Sequence, residues 1–170
     1  MSRNVRVLKC TPKDVFRVLG DGWLYPGWVV GASRMRKVDD SWPNAGAEAH
    51  HSFGVWPMLI DDKTVVEECA PPWHIVMRAR GWPIGEALVT VDVKLRRDGC
   101  IVRIEEEAIA GPGRLIPQRL LDIPLHWRNN ETLNRLAYVA EGMATHGSLS
   151  EQAGDVDVDP EDLNLPTGSA

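Results

Sequence analysis

The chain has 170 residues, of which 44% are hydrophobic and 25% charged, and its formal net charge is -5. This length and composition suit one globular domain of ordinary size. Six of the 24 acidic residues lie in 145–170, where there is no Lys or Arg, so 1–144 holds 18 acidic residues against 19 Lys and Arg. That near-neutral body argues against the basic surface of a nucleic-acid-binding protein.

The cysteines and the N-terminus bear on the compartment. Cys10, Cys69 and Cys100 are odd in number, widely spaced and never in a CxxC pair, so neither a disulfide framework nor a zinc knuckle is indicated. The N-terminus lacks an apolar signal core, and no stretch reaches the roughly 18 apolar residues of a membrane span. We therefore expect a cytoplasmic protein without a membrane span.

The first elements are a strand and two short helices. Alternating residues predict a short strand over 5–10. Thr11 is a helix cap, with Asp14 three residues later in the capping-box position, and the helix ends at 20–22. A second short helical turn is predicted over 23–26.

From Val29 the pattern has period two for about eighty residues, which predicts a series of strands. Turn signals at 97–99 and 82–85 predict tight turns between successive strands, and strands joined by such short turns must be antiparallel. The apolar face is predicted to hold Trp73, Ile75, Met77, Ala79, Ala87, Val89, Val91, Val93 and Leu95. The predicted strands span 28–39, 46–56, 62–70, 73–82, 85–97 and 100–110.

After 111–113 the pattern becomes helical. Apolar residues recur at intervals of three and four from Leu133 to Ala144, which predicts a long helix from Pro124 to Ala144. A short helical segment over 115–121 precedes it, with a break or kink at the proline. The remainder is rich in Gly, Ser, Asp and Pro, so we predict one domain over 1–144 and an acidic, disordered tail over 145–170.

This order of elements resembles the helix-grip fold of the START-like (SRPBCC) superfamily, and local motifs match it over residues 3 to 144. The resemblance is closest to uncharacterised bacterial members described as polyketide cyclase/dehydratase-like. It implies an α+β fold in which a curved antiparallel sheet of about seven strands wraps around a long C-terminal helix, with two short helices after the first strand. The motifs are Val15-Phe16, Trp28-Val29-Val30-Gly31, Trp42-Pro43 with Gly46, Glu106 before Gly111-Pro112, and Arg128-Asn129 with Leu133 and Leu136.

The resemblance also implies a cavity between sheet and helix that holds a hydrophobic ligand. A filled core without a cavity would suit the same apolar faces equally well. The aromatic segments 24–28 and 81–85 either cover this cavity or pack as ordinary turns. The predicted ligand-binding residues are His51, Phe53, Met77, Val89, Val91, Val102, Ile104, Asn129, Asn130, Leu133 and Ala137.

Glu106 is the most informative polar residue. Strand alternation puts it on the apolar face with Val102 and Ile104, where an unpaired carboxylate costs several kcal/mol. Counting back along the helix from Leu133 offers three partners: His126, Asn129 and Asn130. Glu106 and His126 are the candidate catalytic acid/base pair, and the alternative is a structural hydrogen bond between strand and helix.

The adjacent histidines His50 and His51 invite a metal-site hypothesis. In a strand they point to opposite faces, so one ion cannot bind both without a bulge. No further ligands have zinc-like spacing, and we expect no metal. His51 should face inward with Phe53, and His50 outward.

The leading hypothesis is a protein that binds a small hydrophobic or amphipathic molecule, lipid or polyketide-like. The alternative is a polyketide cyclase/dehydratase-type enzyme that uses Glu106 with a nearby His or Asn. Nucleotide-binding, serine-hydrolase and zinc-protease motifs are absent, so no cofactor is expected. The expected partner is the small molecule alone, without nucleic acid, bound to a monomer or homodimer.

Overall fold

The structure is a computed structural model that describes residues 2–55, 57–81, 85–111 and 118–153. A 3-10 turn (Gly22–Leu24) lies between the first two helices. The elements in chain order are β1 (Ser2–Leu8), α1 (Pro12–Leu19), α2 (Tyr25–Trp28), β2 (Ala32–Val38), β3 (Glu48–Val55), β4 (Met58–Ala70), β5 (His74–Gly81), β6 (Gly85–Arg96), β7 (Gly99–Ala110) and α3 (Gln118–Ala153).

The seven strands form one curved antiparallel sheet in the order β1-β7-β6-β5-β4-β3-β2. Strands β2 to β7 follow one another across the sheet in the same order as in the chain. Strand β1 pairs with β7 and forms the far edge. Helix α3 packs against β1, β7, α1 and α2. The sheet, the long C-terminal helix and the two short helices after β1 confirm the predicted α+β helix-grip fold.

Helix α1 begins as the sequence predicts. The Thr11 hydroxyl oxygen accepts from the Asp14 backbone N–H at 3.3 Å, and the Asp14 carboxylate accepts from the Thr11 backbone N–H at 2.9 Å. This reciprocal pair satisfies two backbone donors that the helix itself leaves unbonded. Val15, Val18 and Leu19 are buried on the face that meets the core.

The core lies between the concave face of the sheet and the helices. It continues along α3 at intervals of three and four residues, as an amphipathic helix requires. Its most buried members include Leu8, Val15, Val18, Leu19, Ile75, Met77, Val91, Val93, Cys100, Val102, Ile104, Leu133, Leu136, Ala137 and Ala140.

Two residues predicted for the inner face are exposed. Trp73 is 49% exposed because it lies in the turn before β5, where strand alternation does not apply. Leu95 is 66% exposed and belongs to a run of exposed residues, 94–98, around the β6–β7 turn.

Several element boundaries differ from the prediction. Strand β2 begins at Ala32 because α2 occupies Tyr25–Trp28, and β4 begins at Met58 rather than near residue 62. Helix α3 runs through position 124 without a break, from Gln118 to Ala153, and so extends into the segment predicted as a tail. The division at residue 144 stays a prediction, and 112–117, 154–170 and the predicted turn over 82–84 lie outside the described residues.

Candidate functional site

A cavity lies between the sheet, α2 and the N-terminal half of α3, with about 180 Å³ of space for the centres of water molecules. One water needs only about 10–15 Å³ by that measure. The space between sheet and helices is therefore a cavity, and the alternative of a completely filled core does not apply. Much of the wall is apolar: Tyr25, Trp28, Val29, Phe53, Met77, Ala79, Ala87, Val89, Ile104 and Ala108.

Three alanines on neighbouring strands help to open this space. Ala87 of β6 is the register partner of Ala79 in β5 and of Ala108 in β7. Each contributes one methyl group, whereas the next inward positions along β5 and β6 hold the larger Met77 and Val89. The small residues therefore form a recess in the sheet that no larger side chain fills.

Glu106 lies on the cavity wall, on the inner face of β7, and is 7% exposed. Its Oε2 forms an ion pair with Nη2 of Arg128 on α3, whose side chain is 32% exposed. Such pairing offsets much of the cost of removing a carboxylate from water. Glu106 therefore faces inward as predicted, but its partner is Arg128, which was not among the predicted partners.

His126 and Asn130 do not line the cavity. They lie four residues apart on α3, and both bind the buried Asn4 of β1. Asn4 Nδ2 donates to Asn130 Oδ1 at 2.8 Å and to the His126 carbonyl at 3.0 Å, and lies 3.1 Å from His126 Nδ1. The hydrogen bonds of the described residues join neither residue to Glu106, so the structure does not bring the predicted Glu106–His126 pair into contact, and its catalytic role stays a prediction.

His51 is 2% exposed, lines the cavity and belongs to a buried polar chain. Its Nε2 lies 3.1 Å from the Thr64 hydroxyl, which lies 3.0 Å from the Tyr25 hydroxyl. The rings of His51 and Tyr25 stack with centroids 5.0 Å apart. Burial lowers the pKa of His51 and raises the pKa of Tyr25 to about 12, so both rings are uncharged at neutral pH.

His50 lies on the opposite face of β3, as alternation predicts, and its Nε2 is 3.1 Å from Glu48 Oε2. Within the described ranges, no three His, Cys, Asp or Glu side chains cluster in a way that could hold a metal ion. The described part of the chain also contains no helix that is both long and apolar enough to cross a bilayer.

Two polar atoms of wall residues have no hydrogen-bond partner among the described residues: Nδ2 of Asn129 and Nδ1 of His51. Asn129 is 2% exposed, and its Oδ1 lies 3.5 Å from Nη2 of Arg128. Buried amide groups are normally satisfied, so an unpaired donor beside an open cavity marks a place where a ligand atom can bind.

Six of the eleven predicted ligand-binding residues lie on the wall: His51, Phe53, Met77, Val89, Ile104 and Asn129. Asn130 binds Asn4 instead. The other four, Val91, Val102, Leu133 and Ala137, are fully buried in the core and do not reach the wall. Alternation gives the face of a strand correctly but does not say how far along that face the cavity extends.

Some wall residues were missed. Tyr25 and Trp28 belong to segment 24–28, which was predicted either to cover the cavity or to pack as a turn, but neither was named as a ligand-binding residue; they are 5% and 2% exposed and line the cavity. Their spacing of three residues puts both rings on one side of a helical turn, which is the signal that indicates their position. Arg128 and Thr132 were also missed, although both neighbour Asn129 on the inner stripe of α3.

No family model matches the chain, and no curated protein matches it. Solved structures do. A protein from Chromobacterium violaceum is 22% identical with a TM-score of 0.59, covering 82% of this chain and 96% of its own. A protein of unknown function from Staphylococcus aureus is 10% identical with a TM-score of 0.65, covering 84% and 94%. DynU16, from the dynemicin biosynthetic locus, is 19% identical with a TM-score of 0.61, covering 83% and 47%. These likenesses show the fold.

Proposed function

We propose that the protein binds a small hydrophobic or amphipathic molecule, lipid or polyketide-like, in the cavity between the sheet and α3. The observation that carries this proposal is the cavity itself, which is lined by aromatic and aliphatic side chains and has a few polar groups at defined positions. Concave, mostly apolar sites with a small number of polar groups are typical of small-molecule binding. We further propose membership of the START-like superfamily and a cytoplasmic location.

Pre-organisation of the wall supports this proposal. Tyr25 and Trp28 pack edge to face with ring centroids 5.4 Å apart, and Tyr25 also stacks on His51. The hydroxyl chain through Thr64 holds two of these rings in place. A wall fixed in this way loses little side-chain entropy when a ligand binds.

An enzyme of the cyclase/dehydratase type is the second candidate, because a buried carboxylate, Glu106, faces the cavity. The carboxylate is already bound by Arg128, and His126 binds β1 instead of the cavity. A group that moves protons needs access to the reacting atom, and the ion pair restricts that access. These contacts favour a binding protein over an enzyme.

Native mass spectrometry of protein purified from its own host tests the proposal. We expect the native protein to have a higher mass than the bare chain. Denaturation should remove this extra mass and release one class of apolar compound. Isothermal titration calorimetry, in which toluene is titrated into protein freed of its ligand, provides a second measurement. A bare chain that also gives no heat with toluene would contradict the proposed function.

A further inference from the structure

The charged side chains on the cavity wall are already paired with one another. Glu106 is bound to Arg128, and Nε of Arg80 donates to Oε1 of Glu86 at 3.0 Å. His51 is uncharged at neutral pH, because burial lowers its pKa. The described part of the wall therefore presents two closed ion pairs and no net charge to a molecule that enters.

Asn129 supplies a polar group that is still open. It is 2% exposed, and its Nδ2 has no partner in the described ranges of the chain. The amide orientation follows from Arg128: Oδ1 lies 3.5 Å from a guanidinium nitrogen, and the swapped amide would set two donors against each other. An N–H donor, not an acceptor, is thus left unpaired at the cavity.

We propose that the cavity selects an uncharged amphipathic molecule whose polar end carries an accepting oxygen, as in a ketone, ester or alcohol, and that it rejects carboxylates. The oxygen accepts from Nδ2 of Asn129, and the apolar part lies against Phe53, Met77 and the alanine recess. This inference rests on the proposed function and narrows its ligand class.

Rejection of carboxylates follows from the same contacts. A ligand carboxylate beside Asn129 would lie near the Glu106–Arg128 pair, where the only nearby cation of the described wall is already neutralised. It would lose its hydration without gaining a counter-ion, and it would be repelled by Glu106. A neutral carbonyl loses much less hydration and gains the Asn129 hydrogen bond.

Three probes of similar size test this in wild-type protein at neutral pH, by isothermal titration calorimetry. Methyl pentyl ketone has an accepting oxygen, heptanoic acid is ionised, and toluene is an apolar control without an oxygen. We expect the ketone to bind at least about tenfold more tightly than the acid, the ratio that one unpaired buried charge easily produces. An acid that binds as tightly as the ketone would overturn the inference.

Two variants assign the effect to residues. Asn129→Leu should weaken ketone binding about five- to tenfold relative to toluene binding, since only the ketone loses a hydrogen bond. Glu106→Gln should strengthen heptanoate binding at least about tenfold by leaving the Arg128 charge without its partner. An unchanged ketone affinity relative to toluene in the first variant, or an unchanged acid affinity in a folded second variant, would also overturn it.

The probes separate this inference from the proposed function. If toluene, ketone and acid all fail to bind emptied wild-type protein, the proposed function fails. If toluene binds but the ketone has no advantage over the acid, only the ligand class is wrong. Should Glu106→Gln not fold, the wild-type ranking and Asn129→Leu still decide the question.

Discussion

At the residue scale, Glu106 depends on Arg128 for its place in the wall. Arg128→Met leaves the carboxylate buried without its cation, so we expect a loss of about 1–3 kcal/mol in the free energy of unfolding, measured with urea. Arg135→Met is the matched control on the same helix: its pair with Glu131, at 2.8 Å, is partly exposed at both side chains and should be worth less than about 0.5 kcal/mol. Equal losses in both variants would contradict the role assigned to Glu106.

His51 predicts a pH dependence of stability. Burial holds its pKa in the folded protein below the ordinary value of 6.5, so between these two pKa values the unfolded chain binds more protons than the folded one. This contribution is fully present above about pH 6.5 and is lost as pH falls through the folded pKa. The free energy of unfolding should therefore decrease from about pH 7.5 to about pH 5.5.

His51→Gln should flatten that decrease while keeping a polar group near Thr64. Tyr25→Phe is the control, because the pKa of Tyr25 is about 12 and its proton is not involved in this range. Urea unfolding at several pH values measures both. A decrease of the same size in His51→Gln as in wild type would show that other groups cause it.

Residue-scale predictions from the sequence were correct where they depended on strand parity. Parity put His51 and Glu106 inward and His50 outward, because successive strand residues point to opposite faces. It could not identify Arg128 as the partner. That choice depends on the rotation of α3, where a shift of one residue turns a side chain by about 100° and exchanges Asn130 for Asn129.

At the element scale, two glycines give opposite predictions for the same substitution. Gly99 begins β7 with φ +133°, and a Cβ there would lie 2.1 Å from the Leu8 carbonyl oxygen. Gly99→Ala should therefore cost at least about 2 kcal/mol. Gly142 lies in α3 with nothing within 4 Å of its Cβ position, so Gly142→Ala should gain about 0.5–1 kcal/mol.

Urea unfolding of both glycine variants measures these changes against wild type. A loss in Gly142→Ala would contradict the open surroundings of that helix position. An unchanged free energy of unfolding in Gly99→Ala would mean that the end of the β1–β7 pair can move to make room for the added methyl group.

The elements themselves were predictable where local chemistry specifies them. The Thr11–Asp14 capping box fixes the start of α1, and period-two alternation indicates β6 and β7. The start of β4 and the ends of α3 were not predicted correctly. Local signals do stand there, since Pro57 directly precedes β4 and Pro117 and Gly154 flank α3 in the sequence, but the prediction placed the start of β4 at 62 and took Pro124 as the start of the long helix.

At the scale of the whole molecule, the order of elements was enough to predict the fold. Solved structures only 10% to 22% identical share it, which shows that burial pattern and connectivity specify this architecture more than particular residues do. The cavity was not predictable in the same way. Its size is a difference between the volume enclosed by sheet and helices and the volume of the enclosed side chains, and a sequence gives only the second.

That difference leads to a last prediction, which compares two alanines. Ala87 lines the cavity, whereas Ala137 is 2% exposed in the core. In Ala87→Leu the added carbons enter empty space, so stability should not fall, and toluene binding should weaken at least about tenfold by loss of volume. In Ala137→Leu they enter a filled core, which should cost about 1–3 kcal/mol.

Calorimetric titration with toluene and urea unfolding, applied to both variants, separate the cavity from the core. Binding by folded Ala137→Leu should stay within about twofold of wild type, because the cavity wall does not include that position. If Ala87→Leu bound toluene like wild type, the apolar ligand would have to lie elsewhere. If it also lost stability, the space beside the alanine recess would be filled in solution, and the binding function would lose its main support.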